Sequence, residues 1–182
     1  MKKILITGAA GYIGSELIKF LIDDYKIVAF DNLMYDKTSL LRYANHSNFS
    51  FVKGDVRDYN LLEDLVKKAD IIIPLAALVG FPLCDKNPDA AMQINYEVNK
   101  WIADNKSDEQ LVVYPCTNSG YGSSEKVCTE ESPLNPVSLY GRTKVEAEKA
   151  FKEVENHVTF RLATVFGPSS RMRWDLLVNN IR

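Results

Sequence analysis

The sequence has few cysteines, and their placement excludes the sites that cysteine usually builds. Cys84, Cys116 and Cys128 are an odd and scattered set, and no C-x-x-C pair occurs. A disulfide framework needs paired cysteines in a small secreted chain, and a zinc site needs closely spaced ligands. We therefore expect reduced thiols, no metal site and a cytoplasmic protein.

The sequence also lacks long apolar runs and an excess of charge of one sign. No segment approaches the roughly 20 apolar residues that cross a bilayer, and the apolar run that follows Lys3 is too short for a signal peptide. Lys and Arg number 22 against 24 Asp and Glu, which gives a net charge of −2. These features favour a protein with no membrane and no nucleic-acid partner.

Short apolar runs alternate with longer segments of helical period, which is typical of βαβ units and a mostly parallel sheet. The pattern predicts strands at 4–6, 26–31, 49–53, 70–77, 111–116 and 158–162, the last continuing to 167. It predicts helices after the first strand, at 61–66, 89–104 and 140–154, and from 171 to 182. We expect loops at 32–39 and 79–88. Apart from Lys144, the Lys- and Glu-rich run 144–155 is expected to be a solvated helix face.

A glycine-rich turn joins the first strand to the first helix. Its glycines fall at positions 8, 11 and 14, where a missing Cβ lets the backbone bend, a pyrophosphate approach and the helix pack against the strand. The helix N-terminus then offers N–H groups to phosphate. Asp31 ends the second strand and can accept hydrogen bonds from a ribose, whereas it would repel the 2′-phosphate of NADP. The turn thus favours NAD, although a tight turn without a ligand is the alternative.

A second constellation lies in the later half of the chain. Tyr140 and Lys144 are four residues apart in a predicted helix, so both project from one face. An ammonium near a phenol stabilises the phenolate, which can then act as a general base. Thr117 follows the fifth strand and can bond the same substrate oxygen. A Tyr and a Lys at this spacing also occur by chance, and Thr117 is what favours a catalytic role.

At these residues the chain resembles the extended short-chain dehydrogenase/reductases, in particular the nucleotide-sugar epimerases and dehydratases. The resemblance rests on T-G-A-A-G-Y-I-G at 7–14, G-D-V-R-D at 54–58, L-A-A at 75–77, Y-x-x-x-K at 140–144 and R-x-x-x-V-F-G-P at 161–168. It implies a doubly wound α/β Rossmann fold with a parallel sheet and NAD as cofactor. The cofactor-binding residues it implies are Gly8, Gly11, Tyr12, Ile13, Gly14, Asp31, Asn32, Asp55, Val56, Leu75, Ala76, Ala77, Tyr140 and Lys144.

The activity that the resemblance implies is epimerisation of a nucleotide sugar, most often at C4. Tyr140 would take the hydroxyl proton, Lys144 would hold the nicotinamide ribose, and Thr117 would orient the hydroxyl. Hydride transfer to bound NAD would give a keto-sugar, which turns over and takes the hydride back. Tentative substrate residues are Val79, Asn95, Asn118, Ser119 and Asn179, the last beside Arg171 and Arg173. The resemblance also implies a homodimer that pairs the helices at 89–104 and 140–154.

Three departures from the family pattern bear on this interpretation. A Ser–Ser/Thr pair of the family is Cys116-Thr117 here. The 4,6-dehydratases carry Asp-Glu after that Thr, whereas this chain has Asn118-Ser119, which favours an epimerase over a dehydratase. Family members also have a seventh strand and a C-terminal substrate domain, so we expect 1–168 to be the NAD-binding domain of a truncated chain and 169–182 to begin the substrate region. A keto-sugar reductase or dehydrogenase and a non-catalytic NAD-binding module are the alternatives.

Overall fold

The computed structural model describes residues 1–35, 37–123 and 127–180, and in it the chain forms two compact units. The first unit comprises Met1–Ala76 and the C-terminal segment that starts at Thr164. The second unit comprises Ala77–Ala163. None of the helices in the described ranges is long and apolar enough to cross a membrane.

Four parallel strands form the sheet of the first unit, in the order β3-β2-β1-β4. Its elements are β1 (Lys3–Thr7), α1 (Tyr12–Leu21), β2 (Lys26–Asp31), a 3₁₀ turn (Leu41–Tyr43), β3 (Phe49–Lys53), α2 (Tyr59–Val66) and β4 (Ile71–Pro74). The C-terminal segment adds a one-turn helix, which is numbered last as α7 (Leu177–Asn180). The predicted parallel strands of this part are confirmed.

The core of the first unit follows from its apolar runs. Ile4, Leu5 and Ile6 of β1 are at most 2% exposed, as expected of a strand with neighbours on both sides. Ile72 of β4 is equally buried, and it pairs with Leu5 in the parallel register. Strand β1 therefore lies inside this sheet, between β2 and β4.

The second unit packs helices on a parallel pair of strands. Its elements are α3 (Phe81–Lys86), α4 (Pro88–Met92), a π-helical turn (Gln93–Glu97), α5 (Val98–Asn105), β5 (Leu111–Thr117), a 3₁₀ turn (Asn118–Tyr121), α6 (Leu139–Lys152) and β6 (His157–Leu162). Val112 and Tyr114 of β5 are fully buried, as are Ile102 of α5 and Phe151 of α6. Ser138 caps the N-terminus of α6, because its hydroxyl accepts a hydrogen bond from the Gly141 N–H at 3.0 Å.

Several predicted boundaries are wrong. Strand β4 ends at Pro74 and not at residue 77, because proline has no N–H to continue the ladder. The predicted loop 79–88 contains α3, which begins after Gly80 and has Pro82 in its first turn, where proline is favoured. Strand β6 stops at Leu162. The predicted C-terminal helix is reduced to α7, and its last two positions, 181 and 182, lie outside the described residues.

The predicted helix at 89–104 is interrupted by the π-helical turn, which widens the backbone spiral by one residue. Ala91 of α4 and Val98 and Ile102 of α5 are buried. Asn95 and Asn99 are also buried, at 0% and 2% exposure, and lie on the same helical stripe as Ala91, although a pattern of apolar residues does not mark amides as inner residues.

A buried ion pair joins α6 to β6 and corrects the expected solvated face of α6. The guanidinium of Arg161 binds both carboxylate oxygens of Glu148, with Nε–Oε2 at 3.0 Å and a terminal nitrogen to Oε1 at 2.6 Å. The Glu148 side chain is only 2% exposed. Burial alone would raise its pKa, but the hydrogen bonds from Arg161 and Lys152 outweigh that effect and lower the pKa to about 2.

We predict that Glu148→Gln destabilises the chain by about 3–5 kcal/mol, because it leaves the Arg161 charge buried without its partner. The matched control is Glu146→Gln on the same helix, whose partner is Lys149 and whose side chain is 47% exposed. It should cost under about 1 kcal/mol. Urea unfolding at pH 7 measures both, and equal losses would contradict the assignment. Since the folded-state pKa is depressed, the contribution of Glu148 should be present above about pH 4.5 and disappear as the pH falls towards 2.

Candidate functional site

The glycine turn of the first unit is shaped by close backbone contacts. Gly8 has φ of +67°, and a Cβ on it would lie 2.6 Å from the Ala76 nitrogen. A Cβ on Gly14 would lie 2.6 Å from the Ala9 oxygen, which is closer than real Cβ atoms come. Gly11 precedes α1 without a side-chain cap. The first N–H groups of α1, on Tyr12, Ile13 and Gly14, therefore face a position where an anion would satisfy them.

Asp31 lies at the end of β2 and is hydrogen-bonded to the same turn. Its Oδ2 accepts from the Ala10 N–H at 3.0 Å, and its Oδ1 accepts from the Leu33 N–H at 2.7 Å. Burial raises the pKa of this carboxyl, and the two N–H groups work in the opposite direction. Each carboxylate oxygen has further lone pairs beyond these two bonds, so Asp31 can still accept hydrogen bonds from a ribose.

The predicted cofactor residues Asn32, Asp55 and Val56 lie around a second carboxylate, that of Asp55. Arg57 binds Asp55 through Nε at 2.9 Å and through a terminal nitrogen at 2.7 Å. This pairing, opposed by burial, lowers the pKa of Asp55 to about 2, and the side chain of Asn32 also bonds the carboxylate. Val56 is 7% exposed. The structure therefore brings Asn32 and Asp55 together as a charged, hydrogen-bonded group.

The chain after β4 is tied to the end of β1. The Leu75 N–H donates to the Thr7 carbonyl at 3.0 Å, and the Ala76 N–H donates to the Thr7 hydroxyl at 3.2 Å. Together with the space that Gly8 leaves, these bonds bring the main chain of 75–76 against the glycine turn. Ala77, the last residue of the predicted L-A-A segment, is the first residue of the second unit.

The three predicted catalytic residues all lie in the second unit. Thr117 ends β5 and caps the following 3₁₀ turn, where its hydroxyl oxygen accepts from the Ser119 N–H at 3.1 Å. That bond uses a lone pair and leaves the hydroxyl proton for a donated bond. Tyr140 lies half-buried in the first turn of α6, and Lys144 lies one turn later and is 4% exposed. Burial lowers the pKa of Lys144 to about 8.

Asn95 connects three parts of the second unit, a role that the sequence did not reveal. Its Oδ1 accepts from the Leu78 N–H at 2.8 Å, and its Nδ2 donates to the Leu78 carbonyl at 2.9 Å. The same Nδ2 lies 3.3 Å from the hydroxyl of Thr143, which itself donates to the Tyr140 carbonyl at 2.9 Å. Asn95 therefore links the loop after β4 to the helical turn that carries Tyr140 and Lys144.

The remaining predicted substrate residues have varied surroundings. Val79, Asn118 and Ser119 are exposed. Asn179 uses its amide within the first unit, because its Oδ1 accepts from the Gly167 N–H at 2.9 Å and its Nδ2 donates to the Tyr12 hydroxyl at 3.1 Å.

The two arginines near Asn179 have partners inside the first unit. Arg173 pairs with Asp175, and the Arg171 guanidinium lies 4.8 Å from the centroid of the Tyr35 ring. In this structure the three residues 171, 173 and 179 thus serve contacts within the protein, and their role towards a substrate stays a prediction.

Comparisons with known proteins identify the family. Residues 4–182 match the model of the NAD dependent epimerase/dehydratase family. The chain belongs to this family, and the predicted resemblance is thereby confirmed. The residues of the first unit fit NAD on their own geometry, since they combine a turn without Cβ atoms, an uncapped helix N-terminus and a carboxylate at the end of β2.

Both epimerases and dehydratases are similar to the chain. An uncharacterized UDP-glucose epimerase of Bacillus subtilis, YtcB, is 32% identical over 93% of this chain and 58% of its own length. The UDP-N-acetylglucosamine 4-epimerase of Methanobrevibacter ruminantium, solved with UDP-N-acetylmuramic acid, has a TM-score of 0.85 and 30% identity over 97% of this chain and 58% of its own. The dTDP-glucose 4,6-dehydratase of Bacillus anthracis, solved with NAD, has a TM-score of 0.84 and 26% identity over 99% and 60%.

The similarity over nearly the whole chain confirms the predicted doubly wound Rossmann fold. NAD, predicted from the glycine turn and Asp31, agrees with the family and with this NAD complex. The chain spans 57–58% of the length of the first curated relatives that it matches.

We predict that Asn95→Ala destabilises the chain by about 2–4 kcal/mol, because it leaves the buried Leu78 N–H without its side-chain acceptor and the Leu78 carbonyl with only the weakly donating Cys84 thiol. The control is Asn105→Ala, whose exposed amide donates to the Trp101 carbonyl at 2.8 Å, where water can replace it. That variant should lose less than about 1 kcal/mol. Chemical unfolding followed by circular dichroism compares the two. A loss as small in Asn95→Ala as in the control would show that the link to Leu78 contributes little.

Proposed function

We propose that this chain carries the cofactor-binding and catalytic residues of an NAD-dependent nucleotide-sugar epimerase that acts at C4 of the sugar. The observation that carries the proposal is the set formed by Thr117, Tyr140 and Lys144 in one compact unit, with Lys144 buried one helical turn after Tyr140. A module that only binds a dinucleotide has no need of a general base.

Each of these residues has a defined task in the proposed reaction. The phenolate of Tyr140 takes the proton from the sugar hydroxyl, and the ammonium of Lys144 stabilises that phenolate electrostatically. The hydroxyl of Thr117 donates a hydrogen bond to the same sugar oxygen and so holds it in place. NAD, when bound, supplies the hydride acceptor for the carbon that loses its hydride. In the reverse direction the hydride would return to the other face of the same carbon while Tyr140 gives the proton back to the oxygen, so the cycle would close without net oxidation.

The residues after Thr117 support an epimerase over a dehydratase, although both kinds of protein are similar to the chain. Elimination of water needs an acid and a base next to the leaving hydroxyl. Asn118 and Ser119 carry an amide and a hydroxyl at these positions, and neither group ionises near neutral pH to act as an acid or a base. A keto-sugar reductase is the second candidate, and Asp31 counts against it if that enzyme depends on NADPH.

The test is proton NMR of a nucleotide-sugar panel incubated with the full-length natural protein and a trace of NAD. Conversion of one sugar to its 4-epimer without accumulation of NADH supports the proposal. A 4-keto-6-deoxy product would identify a dehydratase, and stoichiometric NADH with a keto or acid product would identify a dehydrogenase. Saturable NAD binding with no change in any sugar would favour the reductase or the non-catalytic module.

We predict that Tyr140→Phe lowers turnover by about 10²–10⁴-fold while NAD binding stays within about twofold, because only the proton-transferring oxygen is removed. Tyr59→Phe at the exposed start of α2 serves as the control and should retain full turnover. Turnover is followed by NMR and NAD binding by calorimetry. Undiminished turnover in Tyr140→Phe would exclude Tyr140 as the base.

We predict that Asp31→Ser weakens NAD binding by roughly 10- to 100-fold and raises the affinity for NADP relative to NAD, because it removes a carboxylate that accepts ribose hydroxyls and repels a 2′-phosphate. Asp64→Ser, on the exposed face of α2, removes the same charge elsewhere in the first unit. Calorimetric titration of both nucleotides against the three proteins separates the local effect from a change in net charge. An unchanged NAD affinity in Asp31→Ser would place the ribose elsewhere.

A homodimer and a cytoplasmic location stay predictions. Sedimentation velocity tests the first: a particle of twice the chain mass supports a homodimer, and a monomer at all concentrations counts against it.

A further inference from the structure

The ammonium of Lys144 lies against an aromatic face in the interior of the second unit. Its Nζ is 4.2 Å from the centroid of the Tyr114 ring. Tyr114 is 0% exposed and Lys144 is 4% exposed, so water screens this contact little. The Tyr114 hydroxyl also donates to the main-chain carbonyl of Lys144 at 3.3 Å. One tyrosine of β5 therefore contacts both the backbone and the charged end of Lys144.

No carboxylate oxygen lies within 4.0 Å of the Lys144 ammonium in ranges 1–35, 37–123 and 127–180. The acidic residue one turn further along α6 is Glu148, which stands at the spacing where a helical ion pair normally forms. Arg161 binds both oxygens of Glu148, and Lys152 adds a contact at 2.9 Å. Because Glu148 is paired with these two cations, it forms no ion pair with Lys144, and the Lys144 ammonium can interact with a neighbouring phenolate.

We propose that Tyr114 is a positioning residue for Lys144: its ring face holds the buried ammonium by a cation–π interaction and keeps it charged and aimed for its role beside Tyr140. The inference deepens the proposed function, because that role of Lys144 belongs to the proposed reaction. A desolvated cation over an aromatic face is the geometry in which this interaction is strongest.

The ring itself is held in place by its neighbours. Phe151, two turns after Lys144 on α6, packs against Tyr114 with ring centroids 4.9 Å apart and a tilt of 46°. The hydrogen bond from the Tyr114 hydroxyl fixes the other end of the ring. The Tyr114 ring, which projects from β5, is thus fixed by two contacts with α6, and its face stays in contact with the ammonium.

The charged and titratable side chains near the Lys144 ammonium and the Tyr114 ring are Cys116, Tyr140 and Glu148. Lys152 and Arg161 bind Glu148, Tyr121 of the 3₁₀ turn binds Arg161, and Cys84 lies in α3, which packs against α6. Burial raises the pKa of Cys116 to about 12 and raises that of Cys84, so both thiols stay neutral near pH 7. Burial lowers the pKa of Lys144, and the ring face acts in the opposite direction by stabilising the charged form.

The test replaces Tyr114 by phenylalanine and by its 4-fluoro, 3,5-difluoro and 3,4,5-trifluoro analogues, which keep the shape of the ring and progressively weaken its negative face. The readout is the pKa of Lys144, from an NMR titration of protein labelled at the lysine Cε and Nζ positions. The Lys144→Arg variant assigns the resonance. Lys149, exposed on the same helix, is the internal control. We expect the pKa of Lys144 to fall stepwise, by roughly one unit across the series, and that of Lys149 to stay constant.

The same series separates the inference from the proposed function. Where the wild-type protein epimerises a sugar, the alkaline limb of its pH profile should move to lower pH by the same amount as the pKa of Lys144. A pKa of Lys144 that is flat across the fluorinated series would overturn the inference. So would a full drop already in the unfluorinated Phe variant, because that would assign the effect to the hydroxyl. Absence of turnover in the wild type would refute only the proposed function, since the titration needs no catalysis.

Discussion

The second unit depends on the burial of two opposite charges. Arg161 and Glu148 are nearly inaccessible to water, and neither could remain inside without the other. Their pairing fixes α6 against β6 at a single register, because a planar guanidinium accepts a carboxylate in few orientations. Tyr140 and Lys144 lie two turns and one turn before Glu148 on this helix. The position of the proposed base is thus set by an ion pair that takes no part in the proposed chemistry.

The two units differ in whether main-chain or side-chain atoms build their functional groups. The first builds its cofactor turn from main-chain atoms, and it depends on the absence of side chains at Gly8 and Gly14. The second depends on buried polar side chains, each of which has a hydrogen-bonding partner. Asn95 binds the main chain of Leu78, and Arg161 binds the carboxylate of Glu148. A side chain added at Gly8 or Gly14 should therefore disrupt the cofactor turn, and removal of the polar atoms of Asn95 or Glu148 should destabilise the second unit.

The sequence was informative where local spacing decides the structure. Strand β3 was predicted at its observed bounds, and the glycine turn and Asp31 lie together as expected. Helix α3 was missed because Gly80 and Pro82 are typical of turns, although here they begin a helix. Glu148 was expected to be solvated because its partner, Arg161, is distant in sequence, and the burial of Asn95 was not predicted because its partner, Leu78, lies in a separate loop. The burial of both side chains results from contacts between residues distant in sequence, and the pattern within a single helix or strand does not reveal such contacts.

The hydrogen bonds among Tyr12, Gly167 and Asn179 have a consequence for how this sequence can change. The Tyr12 hydroxyl donates to the Gly167 carbonyl at 2.6 Å and accepts from Asn179, whose amide oxygen in turn accepts from the Gly167 N–H. Each donor in this group has an acceptor. Phenylalanine at position 12 would leave the Asn179 amide nitrogen and the Gly167 carbonyl without the Tyr12 hydroxyl. Aspartate at position 179 would place a carboxylate oxygen against the Tyr12 oxygen, and both are acceptors there. Residues 12 and 179 should therefore covary among related sequences. A substitution at one of the two positions should be tolerated only together with a matching substitution at the other.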